Sequence, residues 1–432
     1  MQIIKKIIIS ILTLESRLIL KKYKPFIVAV TGSVGKTSTK DAIYCALKDH
    51  GKFVRKSQKS MNSDIGLPLT IIGVPTAWRS MSGWMRNMEE GLKLILRRSE
   101  YPNCLVLELG ADHPGDISSV AKWLRPDIAV ITKVSRTPVH VEFFSSPEQV
   151  FEEKASLADA VKPGGTLVLF ADDEKVMTMA DRVKGKDVKV VSFGMSDGAT
   201  VKGSGEQTVY ENGAPVGISF KLHLDANSVP VLVRGVLGQT YLYPILAAAA
   251  VGKARGMSAS AIIQAVAKYD APKGRMNIIP GINGSTLIDD TYNSSPDAVS
   301  SALQALKALE CSGAKIAVLG DMMELGKHST EEHYEAGKLA AVSADILCTV
   351  GLRSRKLAEG ALDAEMDEKN IFQCDDAAEA IKIIKDLVTE HDVILAKGSQ
   401  SMRIEKVVKA LMQHPEQAKE LLVRQEEEWN NR

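Results

Sequence analysis

The chain has 432 residues, more than one hydrophobic core ordinarily holds, so we expect two or three domains. Apolar residues make up 45% and charged residues 25% of the sequence, as in soluble globular proteins. The formal net charge of +1 argues against a nucleic-acid-binding protein, which usually carries a large basic excess. The five cysteines are scattered and form no C-x-x-C pair, which indicates free thiols in a reducing compartment. We therefore expect a cytoplasmic protein.

The first predicted element is an amphipathic helix in residues 1–25. Its sequence, "IIKKIIISILTLESRLILKKY", has an apolar stripe that charged residues interrupt, so the uninterrupted apolar stretches are too short to span a bilayer. No signal-peptide cleavage site precedes the next strand. Our main interpretation is a helix packed on the body of the protein. Contact of its lysines with a membrane surface is the alternative.

From residue 26 onward, apolar strand-like runs alternate with helical segments, which predicts a mainly parallel sheet covered by helices. Residues 186–236 differ: their runs are short and separated by turn signals such as Asn212-Gly213, which predicts an antiparallel appendage. The alternation restarts after "APKGRM" (271–276), where we place a domain boundary. The predicted strands of the two alternating regions are 26–32, 104–110, 128–134, 166–171, 285–292, 315–321, 345–351, 370–374 and 392–398.

The segment "FIVAVTGSVGKTSTKDAIYCAL" (26–47) reads as a strand, a glycine-rich turn and a helix, the order of a phosphate-binding loop. Gly32 and Gly35 permit tight turns, Lys36 can reach the outer phosphates, and the Thr37 hydroxyl can bind Mg²⁺. The general loop has its first glycine where this chain has Val30. Two serines of the same loop complete the predicted nucleotide contacts, Ser33 and Ser38.

This variant loop, T-G-[ST]-x-G-K-[ST], resembles that of the Mur ligase family, the ATP-dependent amide ligases of peptidoglycan precursor synthesis. "LELGADHPGDI" (107–117) and "TPVHVEFFSSPEQVFEEKASL" (137–157) resemble two further segments of that family. The resemblance implies that Glu108 and His140 hold a second Mg²⁺. It also implies that Lys154 is carbamylated by CO₂, which converts a cation into a carboxylate-like metal ligand.

Two segments near residue 275, "GRMNIIPG" and "LIDDTYNSSPDAV" (287–299), resemble the family's nucleotide contacts. By that resemblance Arg275 contacts the ATP phosphates, and Asp290 and Asn293 contact the nucleoside or its surroundings. The implied fold is α/β: a central P-loop domain (26–275) with a mainly parallel sheet and a small antiparallel appendage, and a C-terminal Rossmann-like α/β domain (276–432). The implied cofactors are ATP and two Mg²⁺ ions.

Three further segments resemble most closely the family member that adds D-alanyl-D-alanine to the UDP-muramoyl tripeptide. They are "SMNSDIGLPLTIIG" (60–73), "VLGDMMELG" (318–326) with His333, and "LAKGSQSMRIEKVV" (395–408). We take Asn62 as a substrate contact in the first of them. Lys397 and Ser399, at the end of a predicted strand, are candidates for holding a carboxylate or phosphate.

The sequence also departs from the family pattern. Only about 25 residues precede the first strand, too few for the domain that grips the uridine diphosphate in family members with UDP-linked substrates. Thr240, Tyr241 and Pro244 stand in the segment where the family has asparagines near adenine. Lys133 replaces the asparagine of an expected Thr-Asn pair. Ser156 replaces an acidic residue after the carbamylated lysine, and Gln400 replaces a late arginine.

Three functions therefore remain open. The first is a ligase that adds D-alanyl-D-alanine to a muramoyl peptide in cell-wall synthesis. The second is a ligase with an acceptor that carries no UDP, of the folate or poly-amino-acid type. The third is a nucleotide-binding scaffold that has lost ligation and acts through a partner. In the first case a separate partner could supply the UDP-binding domain. We expect small-molecule substrates and no nucleic acid in every case.

Overall fold

The computed structural model of the protein describes residues 2–50, 53–58, 61–77, 80–135 and 141–429. These residues form two sheets with helices packed against them.

The first sheet has nine strands among the described residues. They are β1 (Phe26–Thr31), β2 (Val54–Lys56), β3 (Cys104–Glu108), β4 (Ile128–Ile131), β5 (Gly165–Phe170), β6 (Val188–Gly194), β7 (Val201–Glu211), β8 (Ala214–Leu224) and β9 (Asn227–Arg234). Their order across the sheet is β2-β3-β1-β4-β5-β6-β7-β8-β9. Strands β1 to β6 pair in parallel, β7 joins β6 in parallel, and β8 and β9 continue as an antiparallel meander.

The second sheet has six strands in the described part of the chain. They are β10 (Asn277–Pro280), β11 (Thr286–Asp290), β12 (Lys315–Gly320), β13 (Ile346–Val350), β14 (Ile371–Cys374) and β15 (Val393–Lys397). The order is β10-β11-β15-β12-β13-β14, and only the edge strand β10 runs antiparallel to its neighbour among these strands.

The α-helices alternate with the strands. They are α1 (Gln2–Tyr23), α2 (Lys36–Lys48), α3 (Gly66–Ile72), α4 (Met81–Leu96), α5 (Asp116–Leu124), α6 (Pro147–Asp159), α7 (Glu174–Met177), α8 (Leu242–Ala254), α9 (Ala259–Val266), α10 (Pro296–Ala308), α11 (Ser329–Ala341), α12 (Arg355–Asp363), α13 (Ala377–Leu387), α14 (Glu405–Leu411) and α15 (Ala418–Leu421). No helix in the described part of the chain is long and apolar enough to cross a membrane.

The central strands are buried and mostly apolar because helices cover the sheet. Every residue of β3, β4 and β5 is buried, as expected for parallel strands between two helical layers. The alanine-rich helix α8 is almost entirely buried, where it packs against α2 and β6. Helix α1 packs on α3 and α4 through Ile8, Leu12 and Ile19.

The predicted α/β fold is confirmed, including the mainly parallel first sheet and the second α/β unit. One detail of the prediction is wrong: Val188–Gly194, placed in the antiparallel appendage, pairs in parallel with β5. The appendage therefore begins at β7. The pattern also did not indicate β2 and β10, which have three and four residues. The domain boundary near residue 275 stays a prediction; it falls between β9 and β10.

Candidate active site

The phosphate-binding loop lies between β1 and α2, and two glycines shape it. Gly32 has φ +149°, and a Cβ atom there would lie 1.9 Å from the Thr132 hydroxyl oxygen. Gly35 has φ +83° and caps the N-terminus of α2. Only glycine adopts both conformations without strain. The loop therefore presents the N-terminus of α2, with its partial positive charge, at the carboxyl end of the sheet.

Lys36 begins α2 and folds back over this loop. Its Nζ donates hydrogen bonds to the carbonyl oxygens of Gly32 (3.0 Å) and Ser33 (3.3 Å). Burial lowers the pKa of Lys36, and the nearby Arg275 lowers it further against the opposing charge of Glu108. The Ser33 hydroxyl is buried and has no hydrogen-bond partner within the described ranges. A cation and an unsatisfied hydroxyl in a glycine loop fit a bound phosphate.

Two of the predicted magnesium ligands are in contact. The Thr37 hydroxyl donates to Glu108 Oε1 at 3.1 Å, and Glu108 is the last residue of β3. A buried lysine that sequence reasoning missed, Lys40, lies 3.6 Å from Glu108 Oε2. Its position one helical turn after Lys36 was the available signal. Hydroxyl and carboxylate oxygens are the ligands that Mg²⁺ prefers, so this pair fits the ion.

Lys154 lies inside the protein on α6, with 3% of its surface exposed. Burial lowers the pKa of Lys154 to about 7, and the positive charge of Lys36 acts in the same direction, opposed by Asp112. Its neighbour Glu153 accepts hydrogen bonds from two backbone N–H groups at the start of α5, which fixes α6 against α5. The predicted ligand His140 lies outside the described residues.

The second sheet contributes a buried ion pair at the carboxyl ends of β11 and β15. Lys397 Nζ lies 2.6 Å from Asp290 Oδ2 and donates to the Asn293 carbonyl oxygen at 3.0 Å. The two residues are register partners in neighbouring parallel strands, whose carboxyl ends are where α/β proteins bind ligands. Burial lowers the pKa of Lys397, while the charge of Asp290 opposes this effect.

Arg275 lies next to this ion pair. Its guanidinium stacks over the Tyr292 ring at 4.2 Å, a geometry that holds the group by cation–π attraction. The Arg275 Nε is buried and has no hydrogen-bond partner among the residues that the structure describes. A buried, unsatisfied guanidinium nitrogen fits an anionic ligand, such as a phosphate group.

One cavity of about 560 Å³ joins the glycine loop to Arg275 and the Lys397–Asp290 pair, a volume typical of small-ligand sites. Its walls include Gly35 and Ser38 on one side and Arg275, Asp290 and Lys397 on the other. The cavity therefore lies between the two sheets. The structure thus brings together predicted site residues that are more than 350 positions apart.

A family model described as the Mur ligase middle domain matches residues 30–252. A second, described as Mur ligase, glutamate ligase domain, matches residues 274–400. The chain belongs to the Mur ligase family.

Individual relatives support this assignment over most of the length. The UDP-N-acetylmuramoyl-tripeptide–D-alanyl-D-alanine ligase of Bacillus subtilis is 28% identical over 404 residues, which cover 90% of this chain and 76% of that enzyme. The ligase of the same name from Mycobacterium tuberculosis is 30% identical over 406 residues, covering 89% and 72%. The crystal structure of the MurF ligase of Thermotoga maritima in complex with ADP superposes with a TM-score of 0.76 at 28% identity, covering 95% of this chain and 84% of that chain.

In this Mur ligase, the residues that replace the expected asparagines line the same cavity. Thr240, Tyr241 and Pro244 form part of its wall. The Tyr241 hydroxyl is buried and has no hydrogen-bond partner in the described part of the chain. Lys133, which replaces another expected asparagine, forms an ion pair with Asp297 of α10 (2.7 Å). The departures therefore alter the walls of the cavity without closing it.

Sequence reasoning missed an aromatic end of this Mur ligase cavity. The Phe170 ring packs edge-on against Tyr243, with centroids 4.7 Å apart, and lies 5.6 Å from Phe193. Asp172 and Glu206 line the same end. These residues come from β5 and the turn after it, from β6, β7 and α8, so no local motif could have indicated them.

Three predicted contacts have hydrogen-bond partners within the protein. The Ser399 hydroxyl accepts a hydrogen bond from the Met323 N–H (2.9 Å), which fixes the loop after β12. The Asn293 side-chain oxygen accepts from the Ser294 N–H (2.9 Å). The Asn62 carbonyl accepts from the Gly110 N–H (3.0 Å), next to the end of β3. Their roles in binding stay predictions.

His333, singled out with the C-terminal motifs, is fully buried. Its Nε2 accepts a hydrogen bond from the Met322 N–H (2.9 Å), and its Nδ1 donates to the Ser329 carbonyl oxygen (2.6 Å). Burial lowers the pKa of His333. The neutral ring therefore holds the loop after β12 in place.

Proposed function

We propose that this protein is an ATP-dependent ligase that joins D-alanyl-D-alanine to a UDP-N-acetylmuramoyl-tripeptide or a closely similar acceptor in peptidoglycan synthesis. The observation that carries the proposal is the cavity of about 560 Å³ between the sheets. It is lined by the phosphate-binding loop on one side and by Arg275 and the Lys397–Asp290 pair on the other. The relatives of 28% and 30% identity carry the name of this activity.

ATP would bind with its phosphates against the loop of residues 32–38. The buried cation of Lys36, the N-terminus of α2 and the unsatisfied Ser33 hydroxyl support this placement. The nucleoside would extend along the cavity toward Tyr241 and the aromatic end at Phe170 and Tyr243. The ADP in the Thermotoga maritima relative supports an adenine nucleotide.

The reaction has two chemical steps. A carboxylate oxygen of the acceptor attacks the γ-phosphorus of ATP, and the bond from phosphorus to the β–γ bridging oxygen breaks to release ADP. The amine of the dipeptide then attacks the acyl carbon, loses a proton, and displaces phosphate. The products are an amide, ADP, phosphate and one proton.

Phosphoryl transfer requires positioning and neutralisation of charge more than covalent help from the protein. Lys36 would supply that neutralisation from the phosphate-binding loop, and Arg275 from the wall of the cavity that faces the loop. Both groups are held by the protein before a ligand binds, Lys36 by loop carbonyls and Arg275 by the Tyr292 ring. This preorganisation favours the transition state because no reorientation is needed during the reaction.

Thr37 would hold one Mg²⁺ ion and Glu108 and His140 a second, with a carbamylated Lys154 as a further metal ligand. Magnesium, when bound, would neutralise phosphate charge and orient the reacting oxygens. The lowered pKa of Lys154 supports carbamylation, because only a neutral amine attacks CO₂.

The amine donor would bind mainly on the second sheet, near Lys397 and Ser399, with Asn62 as a further substrate contact. Asn293 would contact the nucleoside or its surroundings together with Asp290. Reaction would then require the two walls of the cavity to approach each other, as in other enzymes that close around their substrates. The Lys133–Asp297 ion pair links the two sides at the cavity rim.

The test is ADP release from the full chain with a panel of acceptors and amines. We expect turnover that requires both UDP-N-acetylmuramoyl-tripeptide and D-alanyl-D-alanine. Turnover that requires glutamate together with a folate or a polymer end would show that the acceptor carries no UDP. Nucleotide binding without turnover on any pair would contradict a ligase and favour the scaffold hypothesis.

A further inference from the structure

Helix α1 has two apolar faces, and only one of them is buried. Ile8, Leu12 and Ile19 pack into the core. On another side of the helix, a second apolar row repeats at alternating spacings of three and four residues, which places its members on one face. Its five side chains are between 37% and 57% exposed: Ile4, Ile7, Ile11, Leu14 and Leu18.

Helix α4 extends this exposed row. The Glu15 carboxylate packs against Gly91 of α4 and occupies the space that a Cβ atom of residue 91 would need. Lys22, at the end of α1, donates to the carbonyl oxygens of Leu94 and Ile95 at the end of α4. The two helices therefore run side by side in the same direction. The exposed apolar residues of α4 are Met81, Met85, Leu92 and Leu96.

We call these nine exposed side chains the α1–α4 face. Single exposed apolar residues are common on protein surfaces, but contiguous groups of this size are rare on monomers and mark binding surfaces. No part of the described chain covers the face, since each of its side chains keeps more than a third of its surface exposed. The α1–α4 face is therefore a candidate binding surface for a partner outside the described chain.

Charge indicates which partner. Residues 2–24 and 81–98 hold ten Lys and Arg residues and three Glu residues, a formal net charge of +7. The whole chain has a formal net charge of +1, so the remainder carries −6. Lys6, Arg17 and Lys21 are exposed beside the apolar row of α1. The basic charge of this protein is therefore concentrated around the α1–α4 face.

This arrangement disfavours a second copy of the chain, because a symmetric dimer through the face would oppose two surfaces of charge +7. It favours an anionic surface that also offers an apolar layer. A helix with leucine and isoleucine on one side and lysine and arginine beside them typically lies in the plane of a bilayer interface. Lysine and arginine near the headgroups add attraction to anionic lipids.

We propose that the α1–α4 face binds the surface of an anionic lipid bilayer. The apolar row enters the boundary between headgroups and acyl chains, and the flanking lysines and arginines contact the lipid phosphates. The helices lie on the membrane and do not cross it. This binding is independent of the ligase reaction, because none of the nine residues lines the cavity between the sheets.

The experiment is flotation of the full chain with lipid vesicles. We expect binding to vesicles that contain about one third phosphatidylglycerol in phosphatidylcholine, and little binding to pure phosphatidylcholine. Binding should weaken between about 0.1 M and about 0.5 M salt. The double variant Ile7→Glu, Leu14→Glu should bind at least about tenfold more weakly. The charge variant Arg17→Glu, Lys21→Glu should do the same.

The matched control is Leu362→Glu, an apolar residue of α12 that is 40% exposed and lies outside the face. It should bind vesicles like the unmodified chain, and all variants should release ADP normally without vesicles. The proposal is overturned if the chain binds neither vesicle type, or binds both equally and without salt dependence. A stable dimer that the Ile7→Glu, Leu14→Glu variant dissociates, without vesicle binding, also overturns it.

Discussion

The state of Lys154 decides whether this enzyme uses a carbamate. An exposed lysine with pKa about 10.4 is neutral in roughly one molecule in 2,500 at pH 7. With the pKa of Lys154 lowered to about 7 by burial, about half of the molecules carry a neutral amine. The buried site therefore raises the fraction of nucleophilic amine by about 1,000-fold at neutral pH.

The perturbation is Lys154→Ala, with Lys154→Arg as a second variant. Arginine retains a positive charge, but its guanidinium forms no carbamate, so both variants should lose the metal ligand. We expect kcat for ADP release to fall by at least about 100-fold in each. Acetate or propionate should partly restore Lys154→Ala, because a small carboxylate can occupy the vacated space. Lys189→Ala, an exposed lysine of β6, is the control and should remain active.

The direct readout is carbon-13 NMR of protein equilibrated with labelled bicarbonate. A carbamate signal should be present in the unmodified chain and missing from Lys154→Ala. At fixed dissolved CO₂, the signal should decrease as pH falls below about 7, because protonation removes the nucleophile. Full activity of Lys154→Ala, or a carbamate signal that persists in it, would contradict a catalytic carbamate on Lys154.

Three further substitutions test the packing around the site and the helix pair. Burial raises the pKa of Glu15 to about 7, so the folded state loses stability as pH rises from about 4.5 to about 7. Glu15→Gln should therefore raise the free energy of unfolding by about 1–2 kcal/mol at pH 8 and change it little below pH 4.5. Gly32→Ala should weaken ADP binding at least about tenfold by calorimetry, because its methyl group has no room in the loop. Asp290→Asn should lower the free energy of unfolding by about 3–5 kcal/mol, because Lys397 would be left buried without its partner.

Two of these substitutions have a matched control variant, and Glu15→Gln is compared with its own behaviour below pH 4.5. Gly198→Ala should bind ADP normally, since nothing lies within 4 Å of its added Cβ. Asp197→Asn breaks an exposed pair with Lys202 and should leave stability unchanged. Equal stability of Glu15→Gln and the unmodified chain at pH 8 would contradict the raised pKa. Normal nucleotide binding by Gly32→Ala would remove the loop from the site, and a small loss in Asp290→Asn would mean that water reaches Lys397.

Local patterns predicted much of the fold. The strands β1, β3, β4 and β5 are continuous apolar runs because both sides of the sheet are covered, and such runs are visible in the sequence. Short edge strands are not visible in the sequence, because β2 and β10 have too few residues to show any period. The parallel pairing of β6 was also invisible, because it depends on the neighbouring strand and not on its own composition.

The residues of the site also divide into those that a contiguous motif predicts and those that depend on tertiary structure. The loop of residues 32–38 is one contiguous motif, so its glycines and Lys36 could be predicted. The pairing of Asp290 with Lys397 joins residues 107 positions apart and follows only from the register of β11 and β15. The exposed row on α1 was predicted as one apolar stripe, but which side packs inward depends on α3 and α4.

The most direct test of the central claim is a single-turnover reaction with the acceptor carboxylate labelled with oxygen-18. The full chain is supplied with ATP, labelled UDP-N-acetylmuramoyl-tripeptide and D-alanyl-D-alanine, and the products are read by mass spectrometry. Activation by phosphorylation predicts one labelled oxygen in the released phosphate and one in the new amide. Unlabelled phosphate would contradict activation of the acceptor by phosphorylation, and ADP release without an amide product would contradict the ligase activity.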